Sequence, residues 1–423
     1  MKNVFKMKNL NLFIACIFAA LVLSGCTRHQ NKVEVMSDSI ASASKDGKVI
    51  ILTVDGGGVK GIVPAIFLDS IEARTKKQSF ELFDIIGGTS TGGIIALGLT
   101  TLNPANASNL PYTAQELFQI YNSDGDKLFV AQNCKVEHCA KYFASHNGQG
   151  IEPYLQEKFN PRRTLKEASL ILSKIEKNKT KQVFTTTYIV NSTGEVVSKP
   201  VKEEDYGPYL FNWFDAVNDP QDDYYVWEAA RGTSAAPTYF PIGHVGGGSN
   251  RSVQEKWVID GGMMSNDPVV WAVSEAFRIG LATSISDIIV ISLGTGFYPG
   301  DAGVGINNNH TTFDDIPKDG NWNYYPWVIS KMYNLEGHEN QGGTILNIVL
   351  DAVQVASDRQ LQTLQRSGLT YFRLEPELSA TQSQMDNISA ANVNSLIDAA
   401  QKYLAASEGR SILDSIVVAL KNN

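Results

Sequence analysis

The sequence predicts an α/β protein of three layers, α/β/α, with helices on both faces of a mainly parallel central sheet. Three observations predict it. Val49 to Val54 (VIILTV) is a continuous β-branched-rich run, the kind buried on both faces of a parallel sheet, and it ends at the glycine-rich Asp55-Gly56-Gly57-Gly58. Further runs of this kind alternate with stretches of helical spacing, the order expected when parallel strands are joined through covering helices. The 423 residues are 43% hydrophobic and 19% charged, which supplies a large core and excludes a disordered polymer.

The elements follow in order. Lys2, Lys6 and Lys8 precede an apolar stretch from Leu10 to Leu23 that is too short to span a bilayer as a helix. A positive start, an apolar middle and small residues before a cysteine are the anatomy of an export signal. Leu23-Ser24-Gly25-Cys26 resembles a bacterial lipobox, and that resemblance implies cleavage before Cys26 and lipid on Cys26. The expected placement is an exported, lipid-anchored protein of the bacterial membrane, outer-membrane or periplasm-facing. Thr27 to Lys48 is polar, with Ser37, Ser39, Ser42 and Ser44 and no hydrophobic period, and is expected to be a flexible tether.

After the strand at Val49, Val63 to Glu72 has helical spacing. Phe83 to Ile86 is a short buried strand followed by glycine punctuation, and about Thr91 to Leu99 is a small-residue helix. Val183 to Val190, Trp257 to Ile259 and Ile288 to Leu293 are further strands. Ile348 to Leu364 and Ala390 to Ala405 are helices of the outer layers.

Charge and cysteine content narrow the function. Lys and Arg number 36 against 44 Asp and Glu, a net charge of −8, which argues against a nucleic-acid partner because phosphate contacts need clustered cations. Cys16 leaves with the signal, so Cys134 and Cys139 remain for an oxidising compartment, where a local disulfide is the default. A zinc site from Cys134, His138, Cys139 and His146 is the competing reading, but it lacks paired C-x-x-C knuckles.

Three motifs could carry chemistry. Gly88-Thr89-Ser90-Thr91-Gly92 matches G-x-S-x-G between a predicted strand and a predicted helix, where a sharp turn would hold the Ser90 hydroxyl at the sheet edge and the helix's positive end. Asp55 to Gly61 (DGGGVKG) lies at the end of the first strand, where glycines free backbone N–H groups to face a phosphate or a developing oxyanion. Gly56, Gly58 and Gly61 also satisfy G-x-G-x-x-G, which opens a dinucleotide-binding alternative. That fingerprint wants an acid at the end of the second strand, whereas Asp84 stands near its start. Asp260-Gly261-Gly262 follows the strand at Trp257 and puts an uncrowded carboxylate where it could meet Ser90.

In this order the motifs resemble the patatin-like phospholipase family. DGGGVKG corresponds to its Gly-rich loop, GTSTGG at Gly88 to Gly93 to its nucleophile elbow, and DGG at Asp260 to its acid. Two further stretches agree, AARGTSAAPTYF from Ala229 and ISLGTG from Ile291. The resemblance implies a patatin-like fold and hydrolysis of carboxylic esters in phospholipids or related acyl lipids. It implies a Ser–Asp dyad without histidine, Ser90 as nucleophile, Asp260 as base, and the Gly57 and Gly58 amides as oxyanion hole. No cofactor is implied, no carboxylate cluster in the sequence demands a metal such as calcium, and the implied partner is membrane lipid. The departures are Gly232, where plant patatins usually have alanine, and Asn266-Asp267-Pro268, which varies Asn-Asn-Pro.

The expected organisation is a lipoprotein signal peptide at 1–25, a tether at 26–48, a patatin-like catalytic core at 49–296, and a mainly helical extension packed on it at 297–423. Two other functions stand beside the hydrolase: a nucleotide-binding module, and a lipid-binding module without catalysis. A Ser-His-Asp triad would need His310 or His338, both in solvated loop sequence (GINNNHTT and EGHENQGG). The aromatic clusters from Tyr206 to Trp227 and from Trp322 to Trp327 suit either a lipid interface or core packing.

Overall fold

The structure is a computed structural model and describes residues 47–132, 139–191, 206–247, 251–298 and 344–423. Its strands are β1 (Val49–Val54), β2 (Ile85–Gly88), β3 (Gln182–Asn191), β4 (Gly207–Asn212), β5 (Gly243–Val245), β6 (Lys256–Asp260), β7 (Ile288–Leu293) and β8 (Thr370–Leu374). The helices that matter for the site are α1 (Ile62–Thr75), α2 (Thr91–Gly98), α3 (Ala114–Asn122), α4 (Val226–Thr233), α5 (Val269–Arg278), α6 (Thr344–Gln365), α7 (Ala390–Ala405) and α8 (Ser407–Lys421).

The strands form one sheet in the order β5-β6-β3-β2-β1-β7-β8, with β4 also paired to β3. β1 runs through its middle because all six of its side chains can be buried. Ile50, Leu52 and Val54 join one core with α1, α2, α7 and α8, while Val49 and Ile51 join another with Val269, Ala272 and Ala276 of α5 and Leu361 of α6. Alternate residues of one strand therefore feed two cores, which is the expected three-layer arrangement. Each such aliphatic side chain contributes about 1.5–3 kcal/mol on burial.

The sheet is mixed. β3, β2, β1, β7 and β8 are parallel, whereas β4, β5 and β6 run antiparallel to their neighbours. The second strand also starts later than its hydrophobic run suggests, because Gly87 and Gly88 form its end rather than punctuation after it. A Cβ at Gly87 would overlap the Phe184 ring, so the glycine makes room for a side chain of the next strand.

One feature of β3 positions the site. Phe184 and Thr185 pair with β2 and β4 at once, and Thr187, Tyr188 and Ile189 pair with β4 and β6 at once. A strand has two edges, so β4 takes one and β2 and β6 share the other, end to end. β2 arrives with Gly88 opposite Thr185, and β6, running the opposite way, arrives with Asp260 opposite Thr187. Two register positions, about 7 Å of strand, separate the two ends.

Of the first aromatic cluster, Phe211, Trp213 and Tyr224 are core residues. Phe211 packs edge-on against Tyr209 at 5.1 Å and Tyr224 at 4.9 Å, while Tyr206 is 48% exposed. The second cluster, Trp322 to Trp327, lies outside the described residues. Among the described residues no helix is long and apolar enough to cross a membrane. The C-terminal stretch holds the helices its pattern predicts, and it also supplies β8, paired in parallel with β7.

Candidate active site

The Gly-x-Ser-x-Gly segment makes the turn from β2 into α2. Its glycines have packing reasons: a Cβ at Gly88 would overlap the Gly92 carbonyl, and one at Gly92 the Val54 carbonyl at the end of β1. Ser90 sits at the turn with φ 54° and ψ −121°, a conformation side-chain-bearing residues avoid. The strain presents its hydroxyl to β6, and Ser90 Oγ donates to Asp260 Oδ2 at 2.7 Å.

Asp260 is 6% exposed, and its other oxygen, Oδ1, accepts the Gly262 N–H at 2.7 Å. Gly262 therefore orients the carboxylate as well as leaving it uncrowded. Gly261 lets the turn pass Thr186, whose hydroxyl a Cβ would overlap. Burial pushes the Asp260 carboxyl up to about 6, against the opposing pull of the Ser90 and Gly262 hydrogen bonds and the Arg231 charge. Such a group is ionised at neutral pH and is still basic enough to take a proton in a transition state.

The glycine loop lies alongside. A Cβ at Gly56 would be 3.2 Å from Ser90 Cβ. The loop is tied down by Gly56 N to Asn266 O (3.1 Å), Val59 N to Met385 O (2.8 Å) and Thr295 Oγ1 to Gly56 O (2.8 Å). The Gly57 and Gly58 amides make none of these ties. Gly58 has φ 61°, and a Cβ there would overlap the Met385 carbonyl. Gly61 packs against Thr91 and Tyr121, with no room for a Cβ.

Asp55 does something its motif does not reveal. It is fully buried, and Arg373 of β8 donates to its Oδ2 at 2.7 Å. The same guanidinium reaches Asp267 Oδ2 at 3.3 Å, Glu375 Oε2 at 2.7 Å and Ser292 Oγ at 2.7 Å. Burial raises the Asp55 carboxyl, and Arg373 pulls it back. Asp267 is likewise pushed up by burial, to about 6. Arg373 thus holds the bases of the glycine loop and of the loop after Asp260. An isolated arginine in a short strand carries no spacing signal, and sequence reasoning missed it.

Arg231 of α4 is also fully buried, donating to Glu152 Oε1 at 3.0 Å and to the Pro241 carbonyl at 2.7 Å. The segment after it faces the site. Thr233 Oγ1 accepts the Ser90 N–H at 2.8 Å, the Thr233 carbonyl accepts the Gly261 N–H at 3.3 Å, and the Ala235 carbonyl accepts the Asp260 N–H at 3.0 Å. These three bonds set the ARGTSAAP stretch, to which sequence reasoning attached no role, against the site, and of the three only the one to the Thr233 hydroxyl asks for a particular side chain.

Other sequence candidates fall elsewhere. Cys26, Cys134, His138, His310 and His338 lie outside the described residues. Cys139 is disulfide-bonded, and His146 stacks on Phe143 at 4.4 Å. Among the described residues no group of three His, Cys, Asp or Glu side chains is arranged to hold a metal ion.

Residues 52–273 match the sequence model of the family described as Patatin-like phospholipase. The chain is similar to three potato proteins (Solanum tuberosum). It is 24% identical to Patatin group J-1 over 406 residues, covering 90% of this chain and 89% of the relative. It is 24% identical to Patatin-15 over 410 residues and to Patatin group M-1 over 409, each covering 90% of both chains.

Proposed function

This chain belongs to the patatin-like phospholipase family, and from that premise we propose that it is a serine-dependent lipid acyl hydrolase working through Ser90, Asp260 and the glycine loop. The observation that carries the reading is the 2.7 Å hydrogen bond from Ser90 Oγ to Asp260 Oδ2 beside that loop.

Ser90 Oγ attacks the ester carbonyl carbon as its proton passes to Asp260 Oδ2. The carbonyl oxygen takes up the displaced electron pair, and the Gly57 and Gly58 N–H groups stabilise it. When the tetrahedral intermediate collapses, the bond to the leaving alkoxide breaks and Asp260 returns the proton to that oxygen. Water then attacks the acyl-Ser90 ester, with Asp260 again taking a proton, and the fatty acid leaves as Ser90 regains its hydrogen. One carboxyl serves as base and acid in turn because burial has brought its pKa toward neutrality. Histidine has no part in this scheme.

The substrate is a phospholipid or related acyl lipid presented by a membrane. Attachment through lipid on Cys26 would hold the enzyme beside such a substrate; its support is the Leu23-Ser24-Gly25-Cys26 tetrad and the polar stretch after it. The glycine loop supports an oxyanion site better than a pyrophosphate site, since it lies against Ser90, a Cβ at Gly56 being 3.2 Å from Ser90 Cβ.

The test is product analysis by lipid mass spectrometry on mixed membrane extract, together with turnover of chromogenic esters. Ser90→Ala and Asp260→Asn should each remove nearly all activity, and the double variant should be little worse than either, because the two groups act as one unit. Wild-type turnover by folded Asp260→Asn would overturn the dyad. Absence of any hydrolysis or fluorophosphonate labelling in wild type would instead favour a binding module, nucleotide titration then separating its two forms.

A further inference from the structure

Ser90 stands at the N-cap of α2, where serine is among the most favoured residues. An ordinary N-cap serine has extended backbone, and its side-chain oxygen accepts an N–H from the first helical turn. Ser90 does neither. Its φ is 54°, it makes no capping hydrogen bond, and its hydroxyl donates to Asp260 instead. Ser90 therefore gives up both the ordinary backbone conformation and the ordinary cap of its position, and its hydroxyl is free for the acid.

Something must favour the strained form, and the hydrogen bonds identify it. The backbone N–H of Ser90 points at Thr233, whose Oγ1 accepts it at 2.8 Å. Thr233 is fully buried, so the bond has no competition from solvent. Its methyl group packs where a Cβ at Gly93 would be, against the first turn of α2. The carbonyl of the same residue accepts the Gly261 N–H, so a single residue binds the backbone of the nucleophile turn and the backbone of the acid loop. Thr187, the register partner of Asp260, ties into the same frame, its hydroxyl donating to the Ile259 carbonyl at 2.8 Å with the Gly232 carbonyl 3.2 Å away.

We propose that Thr233 is a positioning residue of the hydrolytic site, its hydroxyl holding the Ser90 backbone in the conformation that keeps Oγ on Asp260. Thr233 touches neither substrate nor the reacting atoms; it acts through Ser90. A second consequence follows from the geometry. With its N–H committed to Thr233, Ser90 does not offer its own amide to the oxyanion.

The proposal rests on the dyad reading, and its test separates the two. In the whole chain, Thr233→Val keeps the shape and the methyl group but replaces the acceptor with a second methyl. It should lower kcat on a soluble chromogenic ester by about ten- to a hundredfold, the scale of a small misplacement of reacting groups, and slow fluorophosphonate labelling of Ser90 to match, with KM nearly unchanged. Thr233→Ser, which restores the acceptor without the methyl, should recover most of both rates. A merely structural threonine would change the melting temperature and leave the kcat-to-KM split untouched. Wild-type kcat and labelling in Thr233→Val would overturn the proposal, as would a Thr233→Ser variant as slow as Thr233→Val, which would assign the effect to methyl packing. If Thr233→Val does not fold, Thr233→Ala is read in the same way. Loss of activity in Ser90→Ala with none in Thr233→Val would sink this inference alone, whereas activity retained in Ser90→Ala would sink the dyad itself.

Discussion

Arg373 and Asp55 are 318 positions apart in the chain, yet the arginine's terminal nitrogen lies 2.7 Å from the aspartate's Oδ2, deep beneath the glycine loop. Register explains the meeting. β1 and β8 flank β7, with Val54 opposite Leu293 and Leu293 opposite Leu374, so the residues beside those positions gather at one edge of the sheet. Arg373 lies outside the segment matched to the family, 52–273, and still reaches the loops before Gly56 and after Asp260. The C-terminal part of the chain is thus built into the foundations of the site.

Removing that arginine should be costly. Arg373→Met would leave Asp55, Asp267 and Glu375 facing one another with their counter-charge gone, and losing one partner of a buried ion pair costs about 3–5 kcal/mol. The loss should be larger at pH 8 than at pH 5, because protonation relieves the stranded carboxylates. Calorimetric melting at the two pH values checks this; equal losses at both would mean that the ion pairs contribute little.

Asp260 connects stability to activity. Its carboxyl binds a proton more tightly when folded, at about 6, than at its ordinary value of 3.8. The folded state therefore holds more protons between those values, so this group's contribution to stability is fully present below about pH 4 and is lost as pH rises through 6. Asp260→Asn should accordingly be more stable than wild type at pH 8, by on the order of 1–3 kcal/mol, while being inactive. Wild-type kcat/KM should fall on the acid side with a midpoint near 6, where the base becomes protonated. A less stable Asn variant at pH 8, or a flat rate profile from pH 5 to 8, would contradict this.

Gly58 offers a test of the oxyanion loop. At φ 61° and against the Met385 carbonyl, an alanine would both strain the backbone and shift the amides. Gly58→Ala should lower kcat by about 10²–10³ with a smaller change in KM, the scale of a lost oxyanion donor. Calorimetry with a dinucleotide provides the contrary outcome: tight binding in wild type, destroyed by the same substitution, would make the loop a phosphate cradle.

The membrane placement is tested at the other end of the chain. Cys26→Ser should move the protein from membrane to soluble fractions and leave hydrolysis of soluble short-chain esters unchanged. Each buried CH₂ of an acyl chain adds about 0.8 kcal/mol, so lipid on Cys26 would give stable attachment if it supplied several chains. Persistence of Cys26→Ser in membranes after a high-salt wash would show that something else holds it there.

The α/β class, the strands at Val49 and Ile288, and the three glycine-bearing turns with Ser90 and Asp260 on them are legible in the amino-acid order alone. These are local facts: a strand buried on both faces must be apolar throughout, and a turn whose backbone is crossed by another chain must lack a Cβ, so both leave marks in a few consecutive residues. That β6 runs antiparallel and meets β2 end to end along β3 emerges only when the chain is folded, and it is what turns a serine and an aspartate 170 residues apart into a hydrogen-bonded pair. Folding also decided the roles of Thr233 and Arg373, and the membership of β4, β5 and β8 in the sheet. A hydrogen bond or ion pair between distant residues needs just one suitable atom at each end, and one atom imposes no period, spacing or composition on the sequence around it.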